Sequence, residues 1–299
     1  QAQKDALDEQ YRERFPRGVP SHHDQVFLLE DAINWLRDNL ETLPQPFVVY
    51  FHFSPPHSPY RPSKEFIGIF DEGWEPDPKP EHAFSQGYTY LDLATSAKEY
   101  DEYIAFVDSE FGRLYDHLSS STLSDNTYLL VTSDHGEMFE RGIIGHMTET
   151  LYDPIERVPL LISAPGQQER RDVHTPTSAV DVMPTLLHVA NRPVPAWCEG
   201  QILPPYQTPN EQRSIFVVEA KSNAKHAPLT RATVAMVKGQ YKLIHYRGYP
   251  GFENAYELYD LQADPEELND IYATASVAAD LEEELTAKLR QINAEPIPS

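Results

Sequence analysis

At 299 residues, 40% of them hydrophobic, the chain can bury one large core or a core with a smaller subdomain. Its 47 Asp and Glu against 24 Lys and Arg give a formal charge of -23, which excludes nucleic acid or an anionic membrane as the main partner. No apolar run approaches the roughly 18 residues of a membrane span, Gln1 opens a charged segment unlike a signal peptide, and the single Cys198 excludes an internal disulfide, so the sequence assigns no compartment.

From residue 27 to residue 43, apolar side chains recur at Leu28, Leu29, Ala32, Ile33, Leu36 and Leu40, the period of a helix, and Pro44 and Pro46 end it. Residues 47–53 follow as a nearly unbroken apolar and aromatic run, the pattern of a buried strand. Its end, Ser54-Pro55-Pro56-His57-Ser58-Pro59-Tyr60, cannot continue a ladder, so His57 belongs on a loop at a strand end. Residues 71–80 mix acids with three prolines and read as a surface excursion. Tyr103, Ile104, Val107, Phe111, Leu114, Tyr115 and Leu118 predict a second long helix over 100–118. Strands are predicted at 128–132, breaking at Ser133-Asp134-His135-Gly136, and at 158–162, ending at Pro165-Gly166, with a helical stretch over 180–189.

This alternation predicts an α/β core, rich in parallel strands and covered on both faces, with polar loops at strand ends carrying chemistry. After Pro204-Pro205, three β-rich runs at 215–218, 233–237 and 241–246 come in close succession, the last two joined by a Gly239-Gln240 turn. With an amphipathic tail over 279–292, they predict a small antiparallel sheet and a terminal helix. The division expected is a core at 1–207 and an antiparallel subdomain at 208–299.

Asp134 and His135 adjoin at a strand end and converge on one metal only if the chain leaves the pleat, a turn that Gly136 eases. Alone, the pair also suits an Asp that caps the next turn and a His that packs, and His57 alone suits a His bonding backbone. His22 and His23 sit in a polar segment and read as a solvated pair.

The order of motifs carries further. Ser133-Asp134-His135-Gly136, Gly145-His146 and Arg157-Val158-Pro159, with Pro56-His57-Ser58-Pro59 upstream, resemble the type I sulfatases of the alkaline phosphatase superfamily. Phe106-Val107-Asp108, Asp181-Val182-Met183-Pro184-Thr185-Leu186 and Glu257-Leu258-Tyr259-Asp260-Leu261 with Asp264-Pro265-Glu266 agree with that family in order. The resemblance implies an alkaline-phosphatase-like mixed sheet flanked by helices, with a smaller C-terminal antiparallel sheet plus helix, and hydrolysis of sulfate esters on a small molecule or carbohydrate. It implies Asp134 and His135 as metal ligands, His57 serving the leaving oxygen, and His146, where the family often has Lys, near the sulfate.

The metal so implied is calcium, although a His ligand suits zinc or manganese better. The family's paired Asp residues and its nucleophile, a formylglycine made in Cys/Ser-x-Pro-Ser-Arg, do not occur in these 299 residues, and Cys198 is followed by Glu-Gly-Gln. The expectation is a chain that lacks the amino-terminal segment, is inactive alone, and self-associates through surface the segment would cover. Two other readings share these features: a phosphonate monoester hydrolase or phosphodiesterase of the same superfamily, and a non-catalytic interaction domain.

Overall fold

The computed structural model describes residues 2–22, 25–71, 76–224 and 227–294, with no side-chain description for 2, 3 and 22. Helix α1 (Ala2–Tyr11) leads to a short ribbon of β1 (Ser21–His22) and β2 (Gln25–Val26), then helix α2 (Leu29–Asn39). Leu29, Ile33, Leu36 and Leu40 fall on one face, as the period requires, and pack against Tyr103, Phe106 and Leu114 of α3 (Tyr90–Ser120). Helix α3 starts at a reciprocal cap: the Asp92 amide donates to the Thr89 hydroxyl, and the Asp92 carboxylate accepts from the Thr89 amide at 2.9 Å. Phe15, Val19 and Tyr60 close this cluster.

Beyond it come β3 (Leu129–Thr132), the hairpin β4 (Met138–Glu140) and β5 (Ile143–Gly145), helix α4 (Asp153–Glu156), β6 (Leu160–Ser163) and helix α5 (Val182–Val189). The C-terminal sheet runs β10-β9-β8-β7 from β7 (Ile215–Glu219), β8 (Ala232–Lys238), β9 (Tyr241–Arg247) and β10 (Ala255–Asp260), all antiparallel, and α6 (Ala278–Ala294) follows. Both faces of this sheet are covered. Val234, Met236, Leu243 and Leu258 meet Leu281, Leu285 and Leu289 of α6, while the alternate residues Ala235, Ile244, Tyr246 and Tyr259 meet Met138, Ile143, Leu151, Tyr152 and Ile155. One apolar cluster thus joins residues on both sides of position 207.

Two expectations change. Every strand pair among the described residues is antiparallel, including β3 with β6, so the parallel-rich core is not seen there. Residues 47–53 run without a ladder, with Val48 85% and Tyr50 82% exposed. An apolar run reports which side chains avoid water; it does not say which backbone edge will lie beside it. The reading of 71–80 falls partly on 72–75, and that of the His22 and His23 side chains wholly, outside the described residues. No helix among the described residues is long and apolar enough to cross a membrane.

Candidate active site

His57 lies on the proline-bounded loop after residue 53, its amide held by the Ser54 carbonyl. Asp134 and His135 follow β3, where the Ser133 hydroxyl donates to the His135 carbonyl at 2.7 Å and the His135 amide to Asp134 Oδ1 at 3.1 Å. Gly136 is needed here for space. Its amide donates to the Ile155 carbonyl at 2.7 Å, and a Cβ would stand 2.1 Å from the Pro154 carbonyl oxygen. The turn of α4 therefore presses directly on the backbone that presents His135.

The β4–β5 hairpin places the fourth residue. Arg141 and Gly142 at its tip both have positive φ, 56° and 77°, the twist that suits a two-residue connection. Met138 pairs with Gly145, so the next positions outward, Glu137 and His146, face each other at the hairpin's base. Glu137 Oε1 lies 2.5 Å from His146 Nδ1, and its Oε2 accepts from the Tyr60 hydroxyl at 2.9 Å. Burial and the neighbouring Glu137 charge both push the Tyr60 phenol far up, which keeps it a donor.

The four residues named from sequence meet. The His135 and His146 rings stack at 3.7 Å, and His57 lies 5.3 Å from His146 and 6.2 Å from His135, centroid to centroid. Asp134 Oδ1 is 3.8 Å from His135 Nε2, on the exposed rim. A cavity of about 560 Å³ opens on His57, Asp134, His135 and Glu137. Lys221 adds positive charge, its Nζ donating to the His146 carbonyl at 3.1 Å.

A second network supports the site from behind. Lys242, wholly buried, reaches Glu156 and Glu267 at 2.7 Å and Asp153 at 3.1 Å, and the Asp153 amide donates to Glu267. Burial drives Glu156 up to about 7 against the pull of Lys242, and the three carboxylates, outweighing burial, hold Lys242 well above its usual range. Arg141 lies over the Tyr152 ring at 4.1 Å and donates to the Glu266 and Glu267 carbonyls, so the hairpin and α4 are both tied to the turn after β10. Sequence reasoning missed Glu137, Tyr60 and this network. Glu137 and Tyr60 directly follow the quoted motifs 133–136 and 56–59, whereas the members of the Lys242 cluster are far apart in the chain and carry no local signal.

Comparison with known proteins decides the family. The family model described as Sulfatase matches residues 2–192, and that described as N-sulphoglucosamine sulphohydrolase, C-terminal, matches residues 146–295. The chain belongs to the sulfatase family. A choline-sulfatase of Rhizobium meliloti (strain 1021) is 30% identical over 274 residues, covering 84% of this chain and 51% of the relative. Arylsulfatase K of Bos taurus is 27% identical over 300 residues, covering 87% and 53%. This sulfatase chain thus spans about half the length of the curated relatives it matches.

Solved structures carry the same alkaline-phosphatase-like fold. One, a complex with D-glucosamine-2-N,6-O-disulfate as its substrate, has a TM-score of 0.69 at 21% identity and covers 90% of this chain and 71% of that one. The phosphonate monoester hydrolase of Silicibacter pomeroyi gives 0.68 at 24% identity, covering 92% and 63%.

Proposed function

We propose that this chain carries the leaving-group side of a sulfate-ester hydrolase. What supports the reading most is that residues from three separate parts of the sequence meet: His57, Asp134 and His135 line one cavity, and the His146 ring packs against those of His57 and His135. His57 would serve the departing alkoxide, since an imidazole within reach of that oxygen can supply its proton. His146, braced by Glu137, would face the sulfate, with Lys221 adding charge beside it. Asp134 and His135 would be the metal-facing pair. Sulfated small molecules or carbohydrates are the substrate class, in keeping with choline-sulfatase and with the disulfated glucosamine bound by a protein of the same fold.

Two parts of the family's machinery enter only as assignments. The nucleophile is a formylglycine of a Cys/Ser-x-Pro-Ser-Arg segment, which these 299 residues do not contain. A divalent metal supplies charge stabilisation when bound. Calcium, the metal the family resemblance implies, gathers about six to eight oxygens. The donors gathered at this site are mainly imidazole, with Asp134 as the adjacent carboxylate, and they do not fit calcium by themselves.

The test is hydrolysis of 4-nitrophenyl sulfate. The 299-residue chain alone should show none. A longer protein that adds the paired Asp residues and the Cys-x-Pro-Ser-Arg segment, coexpressed with formylglycine-generating machinery, should turn it over, and His57→Ala and Asp134→Ala should each strongly reduce the rate. Turnover by the chain alone, tolerance of both substitutions, or preference for a phenylphosphonate ester would overturn the assignment.

A further inference from the structure

We infer that the hollow between the C-terminal ends of helices α2 and α3 is a second binding site, for an oxyanion of the sulfate or phosphate class. Asn34 Oδ1 accepts from Arg113 at 2.6 Å and Glu41 Oε1 lies 3.7 Å from His117 Nε2, so the two helices run side by side in the same direction and end together. There Arg37, Arg113, Asp116, His117 and Ser120 line a cavity of about 360 Å³. Tyr100 lines the first cavity and His117 the second, further along α3, which at about 1.5 Å per residue sets them about 25 Å apart. Neither site depends on the chemistry of the other.

Two buried nitrogens are left over in this hollow. Arg37 Nε and His117 Nε2 are both shielded from water and neither has a hydrogen-bond partner, an uncommon state for a buried polar atom and one that calls for a bound ion or water. The Arg37 side chain also has no ion pair among the described residues, in a chain with 47 acids to 24 Lys and Arg. A guanidinium is charged at any working pH, so this one stands without a counter-ion.

Capping the helix ends does not use these groups up. Cations in a last turn usually serve the final carbonyls. Here neutral side chains already hold those: Asn39 Nδ2 donates to the Trp35 carbonyl at 2.7 Å, the Thr42 hydroxyl to that of Asn39 at 2.7 Å, the Ser120 hydroxyl to those of Asp116 and His117 at 2.9 and 3.0 Å, and the Ser121 hydroxyl to that of Leu118 at 2.9 Å. Most acids nearby are taken as well. Glu110 is bound by Arg113, whose other arm holds Asn34, and Glu30 is bound by Arg14. Glu41, half-exposed, stays beyond hydrogen-bond distance of His117, and Asp116 is exposed on the rim.

An oxyanion supplies what is missing. It brings only acceptors and matches the fork of a guanidinium, with His117 Nε2, when protonated, as a further donor from the opposite helix. The five lining residues are all polar or charged, so nothing there favours an apolar ligand. Asp116 opposes an anion, and its removal should therefore tighten binding.

The test is a titration of the full 299-residue chain in mildly acidic buffer, followed by NMR through the Arg37 side-chain Nε–H signal, which is identified by its loss in Arg37→Met. Sodium sulfate and sodium phosphate should shift it saturably, together with the backbone amides of 116–120, and beyond any effect of sodium chloride at equal ionic strength. Glucose 6-sulfate separates the two sources of the anion: tighter binding than free sulfate assigns the site to an ester, weaker binding to the inorganic ion. Arg37→Met and His117→Gln should each weaken the response of the 116–120 amides about 10-fold or more, as loss of a charge-assisted hydrogen bond does. Asp116→Asn should tighten it about 5-fold, the effect of removing one unit charge a few ångströms away in water. Should Arg37→Met fail to fold by circular dichroism, Asp116→Asn, an exposed substitution, carries the test. An Arg37 signal that none of the three anions moves, one that chloride moves equally, or an affinity unchanged by Arg37→Met and Asp116→Asn would overturn the site and leave bound water as the partner of these nitrogens.

Discussion

Lys242→Met strips the facing cation from three carboxylates, those of Glu156 and Glu267 nearly buried and that of Asp153 partly exposed. Its Nζ lies 2.7 Å from Glu156, 2.7 Å from Glu267 and 3.1 Å from Asp153, and the side chain is wholly buried, so solvent cannot replace what is lost. Removing one partner of a buried ion pair typically costs about 3–5 kcal/mol, and three stranded carboxylates put this case near ~5 kcal/mol. For a chain of this size a change of ~1 kcal/mol moves the melting temperature about 2 °C, so a fall of roughly 10 °C is expected at neutral pH.

The assay is thermal unfolding followed by circular dichroism. Adding Glu156→Gln and Glu267→Gln to the same chain removes two of the stranded charges and should recover more than half of the loss, because groups in contact do not add independently. Without the cation Glu156 and Glu267, already raised by burial, are raised further, so the single variant should regain stability as pH falls toward 5 while they take up protons. A Lys242→Met chain within about 2 °C of the parent, or a triple variant less stable than the single one, would refute the cage as a source of stability.

Glu156, raised from 4.5 to about 7, holds its proton more tightly folded than unfolded, so its contribution is full below pH 4.5 and is lost as pH rises to about 7. Melting temperatures across that window should fall more steeply in the parent than in Glu156→Gln. At Asp181 burial raises the carboxyl, but Arg213 and the Gln201 and Ser178 amides outweigh it and hold it below 3.8. Arg213→Met should cost about 3–5 kcal/mol at pH 7, and the deficit should shrink below pH 4 as the stranded Asp181 is protonated. Gly136→Ala must drive Cβ into the Pro154 carbonyl and should cost about 1–3 kcal/mol, read from thermal melts.

Helices α2, α3 and α6 and the β8–β9 hairpin were legible because their faces repeat: Leu29, Ile33, Leu36 and Leu40 announce a buried stripe before any partner is known. Residues 47–53 announce burial with equal force and are exposed, since their pattern says nothing about an adjoining edge. Helix α1 is too polar to show a stripe, and β4 and β5, three residues each around a buried Arg141, are too short to show alternation. Asp134, His135, His57 and His146 could be named from motifs. That Glu137 would brace His146 could not, because it follows from the hairpin register and not from the spacing of nine residues.

The cavity's two walls inherit different rigidity. His146 and Glu137 sit at the base of a hairpin whose Met138 and Ile143 are fully buried against Ile244 and Tyr246, so moving them means breaching the C-terminal core. His57 hangs on a turn with one backbone hydrogen bond from its own amide, beside residues 47–52, most of which face solvent. Amide exchange should therefore be fast around His57 and slow around His146. A ligand entering this cavity meets one fixed jaw and one that must be brought to order, and its binding entropy will be spent almost wholly on the His57 side.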